Sequence, residues 1–385
     1  MLKKILGLTI VLGLMLNVSV SAAAKPDIYG RNGIAIDATT GEVLYAKNAE
    51  EKAYPASVTK VMTALLLDEY IKDGEMIKVS KFAAGQEGSN AIFRVKAGEK
   101  LSKRDALYSM LIMSANDVAV AIGEHISGSQ EEFAKLMTQK AKELGAKHTH
   151  FVTANGLHDP NHYTTAHDMA LIVQEAMKHP EVLKAMDTKE FDVVTSKQKL
   201  HLVNHGKVHE TPNSIGGKTG FTNAAGNTLT MIMEKDGKRV VSVVFKSSGI
   251  GGKHYKDIVT MANYAFDQMK TKDIVKKNEV VKTETILHKK VKLLTNQSLA
   301  ITYTKSNVPT IKKEVKLKAI EKKAITKGEK VGYMNVYQNG KLIQKIDLVS
   351  DREVVAKTLV SDETSNRVFI AVVVLFPIVG YGLYL

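Results

Sequence analysis

The 385-residue chain contains neither cysteine nor tryptophan, and only 7 prolines. Without cysteine, disulfide scaffolds, thiol nucleophiles, Fe–S clusters and zinc fingers are excluded. The chain also lacks glycine-rich or proline-rich low-complexity segments and internal repeats. Hydrophobic residues make up 44% and charged residues 24% of the sequence, which is the balance of an ordinary globular protein with room for two domains.

Acidic side chains are in the minority, since 54 Lys and Arg residues stand against 40 Asp and Glu residues, for a formal net charge of +14. Most of the excess lies in residues 271–360, which hold 20 basic and 9 acidic residues. This asymmetry favours an anionic neighbour such as lipid or wall polymer, with a lysine-rich solvated surface as the alternative. Few aromatic residues accompany the basic ones, and the N-terminus, described next, predicts export, so no nucleic-acid partner is expected.

The N-terminus has the order of a secretory signal peptide. Lys3 and Lys4 precede an apolar run over residues 5–20, and the small residues 21–24 follow it. This pattern predicts a signal peptide over residues 1–24, cleaved near Ala24. A retained N-terminal membrane helix is the alternative.

The C-terminus is apolar as well. Residues 368–385 contain no charged side chain, at the lower limit of the length that spans a bilayer. We predict a membrane anchor segment over 366–385, which would hold an exported protein on the outer face of the cytoplasmic membrane, next to the cell wall. A buried C-terminal helix of the folded domain is the alternative.

Residues 25–270 combine strand and helix patterns. A hairpin is predicted over 33–48, and two further strands follow Gly226, joined by a turn at 235–237. Helical periodicity recurs at 57–71, 103–112, 117–126, 130–144, 166–178 and 254–269. Strands at both extremes predict one antiparallel sheet built from distant segments, flanked by helices and with a helical lobe inserted. The predicted fold class is therefore α+β.

Residues 271–362 have a different sequence pattern, without helical periodicity. Short β-branched runs follow one another, and Gln338-Asn339-Gly340 is a strong hairpin-turn signal. This pattern predicts a small, basic all-β C-terminal domain.

A first candidate for chemistry is Ser57, in the segment Pro55-Ala56-Ser57-Val58-Thr59-Lys60. Lys60 follows three residues later, on the same helical face. A desolvated lysine next to another cation loses its proton near neutral pH and can serve as a general base for the serine. The alternative is an N-cap serine followed by a surface lysine, since S-x-x-K alone is a weak signal.

A second candidate is Ser114-Ala115-Asn116, at a break between two apolar helical stretches. A short loop there can point one hydroxyl and one amide into a cleft, although Ser and Asn also commonly cap helices. A third is Lys218-Thr219-Gly220, preceded by two glycines that allow close backbone approach to a ligand. A Walker phosphate loop is excluded, because position 212 is proline where that motif needs glycine.

The histidines do not form a metal-binding pattern. His158 and His162 are four residues apart, but Asp159-Pro160-Asn161 between them predicts a loop, and no H-E-x-x-H motif is present. No metal and no cofactor are predicted.

The three motifs in this chain order resemble S-x-x-K, S-x-N and K-T-G of the penicillin-recognising serine enzymes. More closely, the sequence is similar to the low-molecular-mass penicillin-binding proteins that are serine-type D-alanyl-D-alanine carboxypeptidases. The resemblance covers residues 28–270, and it is supported by the segments Tyr54–Ala64, Asn155-Gly156-Leu157, His162–Ala166 and Asp168-Met169-Ala170. It implies a β-lactamase/transpeptidase-like fold, with the catalytic domain over 25–270.

The resemblance implies a role for each motif residue. Ser57 would attack the D-Ala-D-Ala bond of a peptidoglycan stem pentapeptide, Lys60 would take the serine proton, and Ser114 would relay a proton to the leaving D-alanine. β-Lactam antibiotics would acylate the same serine. The residues implied in substrate binding are Asn116, Lys218, Thr219, Gly220 and Phe221, with the backbone N–H groups of Ser57 and Phe221 as the oxyanion hole.

The sequence departs from the family in one respect. A basic residue beyond the K-T-G strand, often arginine, helps to hold the substrate carboxylate, and here the candidates are Lys246 and Lys253. Two alternatives to the carboxypeptidase stay open. One is a β-lactamase on the same scaffold, for which no convincing deacylating glutamate segment is found, and the other is a catalytically silent wall-binding protein.

Overall fold

The computed structural model describes residues 24–87, 93–317 and 324–355. The predicted anchor segment lies outside these ranges, as does the predicted signal peptide apart from its last residue. Within the three ranges, none of the helices combines the length and apolar character needed to cross a bilayer.

The N-terminal part, residues 24–268, contains both strands and helices, with five helices in succession over residues 103–187. Its strands are β1 (Asn32–Asp37), β2 (Val43–Lys47), β3 (Met76–Lys78), β4 (Lys100–Ser102), β5 (Glu190–Val194), β6 (Lys199–Val203), β7 (Ser214–Thr222), β8 (Gly226–Lys235) and β9 (Lys238–Ser247). Its helices are α1 (Lys60–Tyr70), α2 (Lys81–Ala84), α3 (Lys103–Ile112), α4 (Asn116–Ser127), α5 (Gln130–Glu143), α6 (Ala166–Ala176), α7 (Pro180–Asp187) and α8 (Lys253–Gln268).

One antiparallel sheet in the order β2-β1-β9-β8-β7 joins the two extremes of this part. Side chains on successive positions of a strand face opposite sides. In β9, Val241, Val243 and Phe245 therefore pack on the helical lobe, while Val240 and Val244 face α8. The predicted antiparallel sheet with helices on both faces is confirmed, and β7 lies at its edge.

The helical lobe is built around α1, whose side chains are buried over residues 60–67. Helices α3, α4 and α6 pack on α1, so the start of α1 lies deep between the lobe and the sheet. The predicted helices at 103–112, 117–126, 130–144 and 166–178 correspond to α3, α4, α5 and α6. Burial of α1 on nearly all sides explains why its sequence is apolar beyond one stripe.

Some elements were not predicted. The hairpin of β5 and β6 was missed although its sequence alternates, since each strand is only five residues long and fully buries a single side chain, Val193 or Leu202. Helix α7 begins at Pro180, a favourable first helical position, and buries Val182, Ala185 and Met186 at helical spacing. It was missed because it is only eight residues long, which is short for a prediction from periodicity. The predicted helix over 57–71 is divided, since Ala56–Thr59 form a 3-10 turn and α1 begins at Lys60.

The C-terminal part is entirely β among the described residues 269–355. Its strands are β10 (Met269–Val275), β11 (Val280–Ile286), β12 (Lys289–Thr295), β13 (Leu299–Thr304), β14 (Ile311–Leu317), β15 (Ala324–Ile325), β16 (Lys330–Gln338), β17 (Lys341–Ser350) and β18 (Val354–Val355). The predicted turn joins β16 and β17, with positive φ at Asn339 and Gly340. A C-terminal β domain is therefore confirmed. Hydroxyls of Thr304 and Ser306 donate to Glu42 of the N-terminal part.

Candidate active site

The 3-10 turn Ala56–Thr59 positions the candidate nucleophile. A 3-10 helix has three residues per turn, so side chains at i and i+3 are eclipsed. Lys60 therefore lies directly beside Ser57, and its Nζ is 2.9 Å from Ser57 Oγ. Ala56 has φ +50°, a strained value for a residue with a side chain, which is typical of turns that present a functional group.

Within the described ranges, Lys60 Nζ has two further contacts, both with oxygen atoms that only accept hydrogen bonds. It lies 2.7 Å from Asn116 Oδ1 and 2.7 Å from the backbone oxygen of Asn155. A neutral amine has two N–H donors and one lone pair. With both N–H groups directed to these two oxygens, the lone pair is directed at the hydroxyl of Ser57.

The environment of Lys60 favours the neutral amine. The side chain is fully buried, and its pKa is held well below the ordinary value, first by desolvation and second by the positive charge of Lys218. Asp117 opposes this effect but does not reverse it. Burial also lowers the pKa of Lys218, to about 8.

The Ser114-Ala115-Asn116 motif lies between two helices, as predicted, with Ser114 and Ala115 in the connection and Asn116 as the first residue of α4. Ser114 has φ +54°, which turns its side chain towards the cleft, while Ala115 is buried in the helical core. The Asn116 amide has a defined orientation, because its Nδ2 donates to the Glu87 carbonyl (2.8 Å) and leaves Oδ1 for Lys60. The two acceptors of Lys60 Nζ, Asn116 Oδ1 and the Asn155 carbonyl, thus come from different segments of the chain.

Strand β7 brings the third motif against the nucleophile turn. A Cβ atom added to Gly220 would lie 2.8 Å from the backbone nitrogen of Ser57 and 2.5 Å from Thr228 Oγ1. Only glycine allows this approach. The Thr228 hydroxyl donates to the Pro55 carbonyl (2.9 Å), which ties β8 to the same turn.

A cleft of about 780 Å³ opens between the loop, the turn and the sheet edge. The predicted site residues on its wall are Ser57, Ser114, Asn116, Thr219, Gly220 and Phe221. Lys60 and Lys218 are buried behind the wall. A smaller cavity of about 190 Å³ adjoins the cleft at Ser114 and Thr219 and reaches Lys218.

Sequence reasoning missed two features of this site. The Asn155 carbonyl is a backbone group, and only the segment Asn155-Gly156-Leu157 pointed to its neighbourhood. Lys253 lies with Nζ over the ring of Tyr29, 4.5 Å from its centroid. Among the described residues on the cleft wall, the basic side chain beyond β7 is His254, rather than Lys246 or Lys253.

This sheet, its inserted helical lobe and the serine–lysine pair at the sheet edge together define a penicillin-recognising serine enzyme. The family described as D-alanyl-D-alanine carboxypeptidase, peptidase S11, matches residues 19–249, and the family described as the C-terminal domain of penicillin-binding protein 5 matches residues 270–356. The chain belongs to the peptidase S11 family.

Curated relatives and solved structures agree with this assignment. D-alanyl-D-alanine carboxypeptidase DacF of Bacillus subtilis is 34% identical over 355 residues, 87% of this chain and 90% of that protein. DacC of Escherichia coli is 30% identical, over 84% of each chain. The crystal structure of DacD from Francisella tularensis superposes with a TM-score of 0.61 at 26% identity, covering 87% of this chain and 95% of the other.

Proposed function

We propose that this protein is a serine D-Ala-D-Ala carboxypeptidase that removes the terminal D-alanine from peptidoglycan stem pentapeptides through an acyl-enzyme on Ser57. The observation that carries the proposal is the contact of Ser57 Oγ with a buried amine whose other two partners are both pure acceptors. A neutral Lys60 can take the serine proton without any other base.

In the acylation step, Ser57 Oγ attacks the carbonyl carbon of the penultimate D-alanine as its proton passes to Lys60 Nζ. The backbone N–H groups of Ser57 and Phe221 would stabilise the resulting oxyanion, a role supported by the close approach of β7 to Ser57 N. When the C–N bond breaks, Ser114 delivers the proton from Lys60 to the amine of the departing D-alanine. Water then attacks the ester as Lys60 takes its proton. The bond between the carbonyl carbon and Ser57 Oγ breaks, Lys60 returns the proton to Oγ, and the shortened peptide leaves as a carboxylic acid that ionises in water.

The substrate carboxylate would bind at Lys218 and Thr219. Lys218 supplies a buried positive charge, and the small cavity that meets the cleft at Ser114 and Thr219 has room next to it for a terminal residue. Asn116 would hold the peptide amide on the opposite wall of the cleft.

Mass spectrometry of a synthetic pentapeptide ending in D-Ala-D-Ala, incubated with the mature protein, tests the proposal. We expect the loss of one alanine, and none with Ser57→Ala. An unchanged peptide would count against the carboxypeptidase and favour the silent wall-binding alternative. Turnover of penicillin within about a second, rather than a long-lived adduct, would favour the β-lactamase.

The two lysines predict a bell-shaped pH dependence of kcat/KM. The rate rises with pH as Lys60 loses its proton, since only the neutral amine is a base. It falls above about pH 8, as Lys218 loses the charge that binds the carboxylate. In Lys218→Arg the guanidinium stays charged, so the alkaline limb should disappear even if the maximum is lower. An alkaline limb unchanged in that variant would contradict the role of Lys218.

The apolar segment 366–385 would hold the enzyme on the outer face of the cytoplasmic membrane, close to its substrate. This part of the proposal is supported by the uncharged sequence of residues 368–385. We expect the full chain in the membrane fraction of expressing cells and a chain ending at residue 355 in the soluble exported fraction. Equal partition of the two chains would contradict the anchor.

A further inference from the structure

A buried imidazole lies behind the nucleophile turn, outside the three motifs. We propose that His162 is a positioning residue for acylation: it ties residues 152–157, called here the carbonyl loop, to the turn that bears Ser57. By doing so it holds the Asn155 carbonyl on Lys60 Nζ. The inference rests on the proposed function, because it concerns the same serine and lysine.

The contacts of His162 define its tautomer. Nδ1 lies 3.0 Å from the backbone nitrogen of Val152 and 3.1 Å from that of Thr153. Both partners are N–H donors, so Nδ1 carries the lone pair and Nε2 carries the proton. Nε2–H donates to Thr59 Oγ1 at 2.9 Å. The imidazole is neutral, in agreement with a pKa lowered to about 3 by burial.

One ring therefore connects two pieces of backbone that supply the site. Thr59 is completely buried and directly precedes Lys60, while Val152 and Thr153 begin the carbonyl loop. The same loop is attached to α1 at a second point, where the Thr63 hydroxyl donates to the Ala154 carbonyl (2.6 Å). These two attachment points fix both the position and the orientation of the loop backbone. The next carbonyl along the loop, that of Asn155, lies 2.7 Å from Lys60 Nζ.

Loss of the imidazole link would act on Lys60 through this carbonyl. The loop then keeps the hydrogen bond from Thr63 and the contact of Asn155 Nδ2 with Gln86 Oε1 (3.3 Å), but neither holds the start of the loop. The loop backbone can therefore shift, and the amine loses one of the two acceptors that orient its lone pair. Water entering beside the amine would also raise its pKa, since desolvation is the main cause that lowers it. A displacement of about 1 Å in a reacting group costs about 10²-fold in rate.

The experiment compares variants at both ends of the link. Thr59→Val keeps the shape and removes the acceptor of Nε2–H, and Thr59→Ser keeps the hydroxyl. His162→Asn keeps an acceptor near the position of Nδ1 and removes the Nε2–H donor. The readout is the rate constant for acylation by a fluorescent penicillin across pH, together with Tm.

We expect Thr59→Val and His162→Asn to acylate about 10- to 100-fold more slowly, with the rising limb displaced to higher pH. Thr59→Ser should stay within about threefold of wild type, and the double variant should be little worse than the poorer single one, because both remove the same bond. Val173→Ala, in the core at α6, is the control that lowers Tm without contacting the link.

Wild-type acylation and an unshifted pH limb in Thr59→Val would overturn the inference, and this variant decides the matter even if His162→Asn does not fold. If the rising limb of the pH profile moved as far in Val173→Ala as in Thr59→Val, the inference would also be overturned, because general destabilisation would then explain the effect. A wild-type protein that is never acylated on Ser57 would overturn the proposed function along with the inference.

Discussion

Replacing Lys60 with methionine should lower the rate of Ser57 acylation by about 10²- to 10⁴-fold, the range for loss of a general base. Methionine fills a similar volume without a lone pair, so Ser57 keeps its place but loses its proton acceptor. Acylation by a fluorescent penicillin measures the loss directly. Lys60→Arg should be equally inactive, because the guanidinium is always protonated.

Two controls accompany this substitution. Lys135→Met changes an exposed lysine that forms an ion pair with Glu132 on the surface of α5, and we expect wild-type acylation from it. Thermal unfolding of Lys60→Met shows whether the fold survives, since Asn116 Oδ1 and the Asn155 carbonyl lose a donor at a cost of about 1–3 kcal/mol. A folded Lys60→Met that acylates at the wild-type rate would show that another group is the base.

Gly156→Ala should damage both stability and acylation. Gly156 has φ +83°, and an added Cβ would lie 1.9 Å from the Ala56 carbonyl oxygen and 2.8 Å from Thr59 Oγ1. The carbonyl loop and the nucleophile turn would have to separate, which moves the Asn155 carbonyl away from Lys60. We expect a loss of about 1–3 kcal/mol in the free energy of unfolding and at least about tenfold slower acylation.

Gly74→Ala is the matched control for backbone strain. Gly74 has φ +89°, but nothing lies within 4 Å of an added Cβ. The substitution should therefore cost only the strain of a positive φ, about 1 kcal/mol, and leave acylation unchanged. If Gly156→Ala behaved like Gly74→Ala in both assays, the packing of loop against turn would not matter for the site.

The strands and helices with a clear burial pattern followed from the sequence alone. The continuous apolar run of β9, which is buried on both faces, and the apolar stripe of α5, which is buried on one face, are both recognisable in the sequence. The Ser57–Lys60 contact was also predictable, since it depends on three residues of spacing. The β5–β6 hairpin was not predicted, because its alternating strands are only five residues long and their inward face is only partly buried.

The assembly of the site depended on resemblance rather than on periodicity. No local pattern predicts that the loop at Ser114 and the edge strand at Lys218 meet beside Ser57. The family resemblance of the three motifs together implied this contact. The Asn155 carbonyl and the orientation of Lys253 escaped both kinds of reasoning. A backbone oxygen has no residue signature, and a long lysine side chain can reach more than one partner. The signal peptide, the anchor and the domain boundaries stay predictions.

The most direct measurement is the site of covalent modification by benzylpenicillin. Intact-protein mass spectrometry should show one penicilloyl group per molecule, and peptide mapping should place it on Ser57, with no adduct on the Ser57→Ala protein. A stable adduct on any other side chain, or a wild-type protein whose mass does not change while its fold is intact, would contradict a serine nucleophile activated by a buried neutral lysine.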